Sequence, residues 1–293
     1  MDNRNKCCKA MDEVVVKIKE KCREITKDMK EGKYRKMNLI WFEANGCSGN
    51  IISLLNASDP EVGYFLKNMV NITYENSIMS DQGQRAYEKF LDTLNTEFIL
   101  VVEGAVSLKD NGKYNIVATY DDVEITAKDA IKLASKKAKY ILAVGNCAAY
   151  GGISAASPNP SECISLPEYI KDKWVIRLPG CSCNPYWVVG TIGELITRGL
   201  LEIDKDNRPL EFYGNTIHDA CPRRGYFEKK IFAKALGDKE CMLRLGCRGP
   251  VTRANCPIVE WNDHSSWPIG INTPCIGCTN PGFPDKMEPF VRY

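Results

Sequence analysis

Cysteine is the residue type that most constrains how this chain can fold. The 293 residues include 14 cysteines but only 2 histidines. Many of the cysteines lie next to glycine or proline, which places them in turns. In a reducing compartment, cysteines in such turns are more often metal ligands than disulfide partners. We therefore expect metal binding to hold part of this protein together.

The N-terminal residues bear on the compartment. Residues 1–36 carry 12 basic and 7 acidic side chains and lack the apolar run and cleavage site of a secretory signal. Later segments fall short of the roughly 18 uninterrupted apolar residues of a membrane-spanning helix. We predict a cytoplasmic protein without a transmembrane segment and with a basic helical extension over residues 1–36. That extension suits docking, with incidental thiols at Cys7, Cys8 and Cys22, and its apolar face carries Val14, Val15, Ile18, Cys22, Ile25 and Met29.

The overall composition is that of a folded, soluble protein. Apolar residues make up 44% and charged residues 26% of the chain, and the mean hydropathy is −0.29. The 39 basic and 37 acidic residues nearly balance, which gives no field suited to nucleic acid. The sequence also lacks the glycine-rich nucleotide motifs and the C-x-x-C-H haem motif, so we expect no dinucleotide, ATP or haem.

The first two thirds of the chain have the pattern of an α/β protein. Four short apolar runs predict buried parallel strands over residues 37–42, 98–102, 140–144 and 174–178. Helix-like stretches cover residues 51–55 with 62–70, 84–94, 127–138 and 187–200. The alternation predicts a parallel sheet with crossover helices over residues 37–205. The turn residues Asp110, Asn111 and Gly112 predict a hairpin inserted between the second and third of these strands.

Three cysteines follow three of the predicted strands. Cys47 follows the first strand, Cys147 the third and Cys181 the fourth, while Glu103 follows the second. The loops after parallel strands meet at one edge of a sheet, so these thiols should lie together. Adjacent glycines let backbone N–H groups approach inorganic sulfur, which favours an iron-sulfur cluster.

Residues 206–293 are rich in proline, glycine and cysteine and have little periodicity. We predict a second, irregular domain here that metal binding holds together. Seven candidate ligands lie in it: His218, Cys221, Cys241, Cys247, Cys256, Cys275 and Cys278. Their H-x-x-C and C-x-x-C spacings also occur in zinc sites. Iron-sulfur clusters are favoured for two reasons. Prolines follow Cys221 and Cys256, and seven ligands suit one cluster with four ligands and a three-iron cluster with three, whereas a second tetrahedral zinc would lack one ligand.

Eight short motifs along the chain point to a family. The first four are W-x5-C at residues 41–47, VEGAV at 102–106, GNCAAYGG at 145–152 and PGC-x-x-NP at 179–185. The others are IHDACPRRGYF at 217–227, GCRGPVTRANCP at 246–257, SSWPI at 265–269 and PCIGCTNPGFPD at 274–285. In content and order, these motifs resemble the small, electron-transfer subunit of nickel-iron hydrogenases from about Met37 to the C-terminus.

The resemblance implies three iron-sulfur clusters in two domains. A flavodoxin-like first domain would carry a proximal cluster on Cys47, Cys147 and Cys181. In the second domain, a distal four-iron cluster would be held by His218, Cys221, Cys241 and Cys247. A medial three-iron cluster would be held by Cys256, Cys275 and Cys278, with Pro268 on the side where a fourth ligand would stand.

The resemblance also implies how the chain works with other proteins. The hydrogenase large subunit would be an obligate partner and would carry the nickel-iron site, so this chain itself would contain no catalytic residue. A further redox partner would exchange electrons near the distal cluster.

Two residues depart from the family pattern. Asn50, in Cys47-Ser48-Gly49-Asn50, stands where the family has a second proximal cysteine, as it does in some uptake hydrogenases. Cys183, in PGCSCNP, stands where the family has proline or a small residue. Cys183 could replace the lost ligand, Asn50 could coordinate through its amide, or the cluster could contain only three irons. We favour a four-iron cluster completed by Cys183 or Asn50; the alternative is structural, with Asn50 as a helix N-cap and Cys183 as a packed thiol.

The other residues with chemical potential receive structural interpretations. Cys163 is interpreted as a structural thiol, and His264 as a hydrogen-bonded histidine near the medial cluster. Glu103 should face the proximal site, where it could bond the loop backbone or cap the turn. Two other functions stay open: a zinc-stabilised binding module, and a cluster-bearing subunit of a different redox complex.

Overall fold

A computed structural model describes residues 34–199, 201–261 and 266–286, with a few residues between 20 and 31. Its strands are β1 (Met37–Glu43), β2 (Val70–Glu75), β3 (Phe98–Glu103), β4 (Val106–Ser107), β5 (Ile116–Tyr120), β6 (Val123–Thr126), β7 (Tyr140–Val144), β8 (Cys163–Ile164) and β9 (Ile176–Leu178). Its α-helices are α1 (Gly49–Leu54), α2 (Val62–Tyr64), α3 (Gly83–Thr93), α4 (Ala127–Lys137), α5 (Gly145–Tyr150), α6 (Leu166–Tyr169), α7 (Pro185–Thr197), α8 (Leu210–Tyr213), α9 (Arg224–Glu228) and α10 (Cys256–Val259). The predictions for Cys7, Cys8, Cys22, the apolar face of residues 1–36 and His264 lie outside the described residues.

Five strands form a parallel sheet in the order β2-β1-β3-β7-β9. Counted among themselves these strands run 2-1-3-4-5, the flavodoxin-like order. One face of the sheet packs around Trp41 with α7, through Trp187. The opposite face packs around Phe42 with α3 and α4, through Phe90 and Ile131. The predicted α/β fold with a parallel sheet is confirmed.

The helix predicted over residues 62–70 is present as far as Met69, but strand β2, which follows it, was not predicted. That stretch begins as α2, continues as a π-helical turn over Phe65–Met69 and then passes into β2. Phe65 and Met69 are buried at helical spacing, as predicted, and only Val70 at the end of the predicted helix belongs to the strand. The parallel pairing of β2 with β1 places Val70 beside Met37 at the edge of the sheet. This pairing joins segments that are distant in the chain, so no local pattern encodes it.

The hairpin lies later in the chain than predicted. Lys109–Gly112 forms a 3-10 turn, and the hairpin itself is made by β5 and β6. Its turn residues are Asp121 and Asp122, with φ of 48° and 62°. Positive φ at both central residues is the geometry of a two-residue hairpin turn, which Asp tolerates. The predicted insertion between β3 and β7 is therefore correct, but its turn was assigned to the wrong residues.

Residues 206–286 form short helices and turns that pack against the sheet. The core on the Trp41 face continues into this part of the chain through Phe212 and Trp267. Trp187 donates a hydrogen bond from Nε1 to Asn255 Oδ1 (2.7 Å) across the junction. The domain boundary predicted near residue 205 stays a prediction. The apolar core continues across this point of the chain. Within the described residues, no helix combines the length and the apolar character needed to cross a membrane.

Candidate metal centres

Three thiols gather at the carboxyl edge of the sheet. Cys47 follows β1, Cys147 lies in α5 directly after β7, and Cys181 follows β9. The pKa of the Cys181 thiol is raised to about 12 by desolvation and by its neighbours, the thiols of Cys278, Cys147 and Cys47. The predicted convergence of these three loops is present in the structure. We call Cys47, Cys147 and Cys181 the sheet-edge group.

The sheet-edge group is open to solvent in this chain. Cys47 and Cys181 are exposed as whole residues and Cys147 is half-buried, although the thiol of Cys181 is itself partly desolvated. Close to Cys47 in the chain, Ile52 and Leu55 are also exposed, to 59% and 43%. Exposed thiols next to exposed apolar side chains indicate a surface that another protein covers.

A second group lines a cavity within residues 217–269. The cavity is small, about 20 Å³, and the possible metal ligands on its walls are His218, Cys221, Cys241 and Cys247. Burial raises the pKa of the Cys221 thiol to about 11, and the thiols of Cys247 and Cys241 raise it as well. Thiols that raise one another's pKa in this way lie close together. We call these four residues the histidine group.

His218 has the properties of a neutral metal ligand. Its ring packs edge-on against Phe227, with the ring centroids 4.6 Å apart. Desolvation lowers the pKa of the imidazole, and Arg224 lowers it further. The neutral form offers a free nitrogen lone pair to a metal, which the imidazolium cannot do.

A third group lies between the other two. Burial raises the pKa of the Cys256 thiol well above its usual range, and the thiols of Cys278 and Cys275 raise it too. Burial raises the pKa of Cys275 to about 12, with contributions from Cys278 and from Cys247 of the histidine group. Cys278 is in turn a neighbour of Cys181 in the sheet-edge group. We call Cys256, Cys275 and Cys278 the middle group.

The three groups therefore form a chain of possible ligands through the molecule. The order is sheet-edge group, middle group, histidine group. Asn146, next to Cys147, donates from its side-chain amide to the Cys278 carbonyl (2.8 Å), and the Arg248 N–H, next to Cys247, donates to the Cys275 carbonyl (2.8 Å). Within the described part of the chain, no three His, Cys, Asp or Glu side chains are arranged to hold a single metal ion.

Known proteins have sequences and folds similar to those of this chain. A family model for the C-terminal part of the NiFe/NiFeSe hydrogenase small subunit matches residues 213–291, and a model of the NADH ubiquinone oxidoreductase 20 Kd subunit family matches residues 47–195. The periplasmic [NiFe] hydrogenase small subunit of Solidesulfovibrio fructosivorans is 35% identical over 262 residues, which cover 87% of this chain and 81% of that protein. The chain belongs to the nickel-iron hydrogenase small-subunit family.

Two further members of this family extend the comparison. The uptake hydrogenase small subunit of Azotobacter chroococcum is 33% identical over 87% of this chain and 72% of that protein. The crystal structure of a reduced, active Ni-Fe-Se hydrogenase from Desulfomicrobium baculatum has a TM-score of 0.84 at 33% identity, covering 87% of this chain and 98% of that chain. The family indicated by the sequence motifs is confirmed.

The predicted cytoplasmic location is wrong by these comparisons. Relatives from Solidesulfovibrio fructosivorans, Desulfomicrobium baculatum and Nitratidesulfovibrio vulgaris are named periplasmic hydrogenase small subunits. The prediction rested on the pattern of residues 1–36 and on the lack of a long apolar stretch in later segments. That pattern carries no information about the compartments in which related small subunits are found.

In this small subunit, a buried carboxylate supports the sheet-edge group. Glu103 is the last residue of β3 and is 1% exposed. Its Oε1 accepts hydrogen bonds from the N–H (2.7 Å) and the side-chain amide (2.9 Å) of Asn50. Its Oε2 accepts from the Ile51 N–H (3.0 Å) and from Trp41 Nε1 (3.1 Å). Desolvation raises the pKa of this carboxyl, and the four donors lower it. The expected hydrogen bonding of the loop backbone by Glu103 is confirmed.

Asn50 joins three loops of the small subunit. Its Oδ1 accepts a hydrogen bond from the Cys183 N–H (2.7 Å), and its Nδ2 donates to Glu103. It packs against Gly145, where an added Cβ would lie 2.7 Å from Oδ1. The N-cap of α1 is Ser48, so the N-cap role suggested for Asn50 is wrong. Both polar atoms of the Asn50 side chain are engaged within the protein.

Cys183 packs inside the protein core. It is 1% exposed and belongs to the apolar cluster around Trp187. Burial raises the pKa of its thiol, and the Gly145 N–H and Tyr213 hydroxyl lie close enough to lower it. Its carbonyl accepts a hydrogen bond from Ser53 Oγ (2.7 Å). These contacts fit a packed thiol.

Cys163 is also buried, which fits its structural interpretation. It forms part of the short strand β8 and is 2% exposed. Asn45 Nδ2 donates a hydrogen bond to its Sγ (2.9 Å).

Sequence reasoning missed Arg223, a buried arginine on the wall of the histidine-group cavity. Its guanidinium donates to the carbonyls of Asp238, Glu240 and Ile269, each at 2.9 Å. These partners lie 15, 17 and 46 residues further along the chain. The sequence signals for Arg223 are its place directly after the Cys-Pro pair at residues 221–222 and within the motif at 217–227.

Proposed function

We propose that this chain is the electron-transfer subunit of a nickel-iron hydrogenase. It passes electrons between a nickel-iron site on the large subunit and an external redox partner. The observation that carries this proposal is the order of the three groups, from the exposed sheet-edge group through the buried middle group to the histidine group. Hydrogen split on the large subunit yields two protons and two electrons, and this chain would carry the electrons one at a time.

The three groups supply suitable ligands for three iron-sulfur clusters. Bound clusters would contribute one-electron redox steps whose potentials depend on ligand charge, hydrogen bonds to sulfur and solvent exposure. We assign the histidine group to a distal four-iron cluster and the middle group to a medial three-iron cluster. The sheet-edge group is assigned to the proximal cluster. The fit rests on the donor atoms, since neighbouring thiols that repel one another as thiolates are stabilised by a shared metal.

Protein residues control the relay through burial and hydrogen bonding. Cys256 and Cys275 are 7% and 9% exposed, so water is largely kept from the middle group. The open sheet-edge group needs cover, which the large subunit would supply over the exposed Ile52 and Leu55. His218 places less negative charge at the other end than a thiolate would, which suits an electron exit.

For the proximal site we propose three thiolate ligands, without Asn50 or Cys183. To coordinate, Asn50 Oδ1 would have to release the Cys183 N–H. A buried donor left unpaired in this way costs about 1–3 kcal/mol. The Cys183 thiol would have to leave a packed core site. These contacts weigh against the four-iron cluster completed by Asn50 or Cys183 that the sequence favours.

Spectroscopy of variants tests this ligand set. In the purified two-subunit complex, Asn50→Ala and Cys183→Ala should keep the iron content and the proximal EPR signal, whereas Cys147→Ala should lose that signal. Asn50→Ala should also shift the midpoint potential, because it loosens the loops around the site. Iron loss confined to Asn50→Ala or Cys183→Ala would identify that residue as a ligand instead.

The function itself is tested on the chain purified with its partner. We expect a brown complex that dithionite bleaches, with iron and acid-labile sulfide in it and nickel in the partner. With hydrogen as the donor, the complex should reduce a viologen dye. Replacing Cys221 by serine should lower the iron content, whereas Cys163→Ser, at a buried cysteine outside the three groups, should not.

Two results would favour the alternative functions. A colourless complex with stoichiometric zinc would support a zinc-stabilised binding module. If the chain contains iron-sulfur clusters but its partner lacks nickel, a different redox complex would be supported. This would agree with the family match of residues 47–195 to an NADH ubiquinone oxidoreductase subunit.

A further inference from the structure

Positive charge is concentrated in the segment that surrounds the histidine group. Residues 223–248 contain eight Lys or Arg and three Asp or Glu, a net charge of +5 in a chain whose net charge is +2. The segment includes Cys241 and Cys247, and Cys221 lies just before it. The basic charge therefore belongs to the surroundings of one particular candidate metal centre.

Most of this charge lies on the surface. Five exposed basic residues form what we call the basic surface: Arg224, Lys229, Lys230, Lys234 and Lys239. Among the described residues, no carboxylate lies within ion-pair distance of the four lysines. The exposed lysines can thus attract an external negative charge.

The nearby acidic residues neutralise only part of the basic surface. The Asp238 carboxylate accepts hydrogen bonds from the N–H groups of Lys234 (2.8 Å) and Ala235 (3.0 Å). The Glu228 carboxylate is paired with Arg224 (3.3 Å). Glu228 offsets the charge of Arg224, while Asp238 and Glu240 offset two of the four lysines, so the basic surface keeps a smaller net positive charge.

Apolar side chains lie among the basic ones. Tyr226, Ile231 and Leu236 are exposed to 38%, 45% and 55%, and Leu243, at 36%, also lines the histidine-group cavity. Buried Arg223 holds the backbone of this segment through its three carbonyl partners. A surface segment that combines exposed apolar and basic side chains on a hydrogen-bonded backbone has features of a protein interface.

We propose that the basic surface docks an acidic electron-carrier protein, so that the carrier's redox centre comes close to His218. This proposal rests on the proposed role of the histidine group as the electron exit. Each oxidised carrier would accept one electron, two carriers would be reduced per hydrogen molecule, and both protons would be released on the large subunit. Opposite charges speed the encounter and orient the partner.

Carrier reduction by the two-subunit complex tests the proposal. The probes are an acidic bacterial two-cluster ferredoxin and a basic mitochondrial-type cytochrome c, with hydrogen as the electron donor. The double variant Lys229→Glu/Lys230→Glu should lower kcat/KM for the ferredoxin by roughly tenfold or more at low ionic strength. The difference should shrink in about 1 M salt, where the Debye length is about 3 Å.

The chain offers a matched control. Lys136→Glu/Lys137→Glu reverses another exposed lysine pair, at the end of α4 on the opposite face of the sheet, and should leave ferredoxin reduction unchanged. Rates are normalised to viologen reduction in each variant, and Lys234→Glu/Lys239→Glu provides a second test if the first variant is unstable.

Three outcomes would overturn the docking proposal. The first is equal ferredoxin kinetics in the wild type and both basic-surface variants. The second is faster reduction of cytochrome c than of ferredoxin by the wild type. The third is lysine-dependent binding to phosphatidylserine vesicles together with no binding to ferredoxin. Failure of the wild type to reduce viologen would instead contradict the proposed function.

Discussion

A single carboxylate, Glu103, fixes the loop that presents Cys47. Its two oxygens collect four N–H donors, two of them from the backbone at the start of α1. Only an ionised carboxylate can accept all four without a clash of hydrogens. The same interaction orients Asn50, whose other end holds the Cys183 loop. One buried charge thereby links the loops after β1, β3 and β9.

Glu103→Gln should destabilise the protein, although the two side chains have the same shape. The amide would turn an N–H group toward at least one of the four donors, leaving buried polar groups unpaired at a cost of about 1–3 kcal/mol. The expected result is a lower midpoint of thermal unfolding of the complex. Glu97→Gln is the control, because Glu97 is exposed and has only a surface ion pair with Lys139 (3.0 Å). Equal melting of both variants and wild type would show that the four bonds contribute nothing.

At this scale the sequence predicts which thiols lie together better than it predicts the residues that support them. Cysteines after strands are visible as a pattern, and the structure brings Cys47, Cys147 and Cys181 together as predicted. The partners of Asn50 lie 53 and 133 residues away in the chain. An asparagine engaged at both ends looks the same in sequence as an asparagine free to coordinate, so its role could not be predicted.

Secondary-structure elements were predictable where one local pattern governs them. Helices α3 and α4 fall within a residue of the predicted bounds because each has an apolar face that packs on the sheet. Strand β2 was missed because it is an edge strand whose place depends on pairing with β1. The β5–β6 turn was misassigned because Asp-Asn-Gly and Asp-Asp both favour positive φ, and the sequence alone does not say which pair joins the strands.

Glycine at the start of α5 is an element-scale requirement that can be tested. Gly145 has a φ of +84°, and its added Cβ would lie 2.7 Å from Asn50 Oδ1. Gly145→Ala should therefore lower the free energy of unfolding by about 1–3 kcal/mol, the cost of a strained backbone position, and with it the unfolding temperature. It should also weaken iron retention at the sheet-edge group. In Gly63→Ala the new methyl meets nothing within 4 Å and the backbone is helical, so that variant should be neutral or slightly more stable. Equal iron retention and stability in the two variants would contradict this account.

At the scale of the whole molecule, the two predicted domains share one core. Residues from the sheet, α7 and the irregular part all belong to the cluster around Trp41 and Trp187. The middle group lies in this shared region, with Cys256 and Cys275 themselves part of the apolar cluster. The rigid packing of the two parts, rather than a linker, therefore sets the spacing between the three groups.

If the three groups carry electrons one after another, loss of a middle-group ligand should separate hydrogen activation on the large subunit from reduction of the carrier. Cys256→Ser removes one middle-group thiol at a site that is 7% exposed. In the complex, hydrogen–deuterium exchange at the large subunit should persist, because it needs no electrons to leave. Reduction of a protein carrier should be almost entirely lost, because its electrons must cross the middle group. Cys163→Ser, at another buried cysteine, should retain both activities. Carrier reduction by Cys256→Ser at the wild-type rate would show that electrons bypass the middle group, and the ordered chain of thiols would then not be the path.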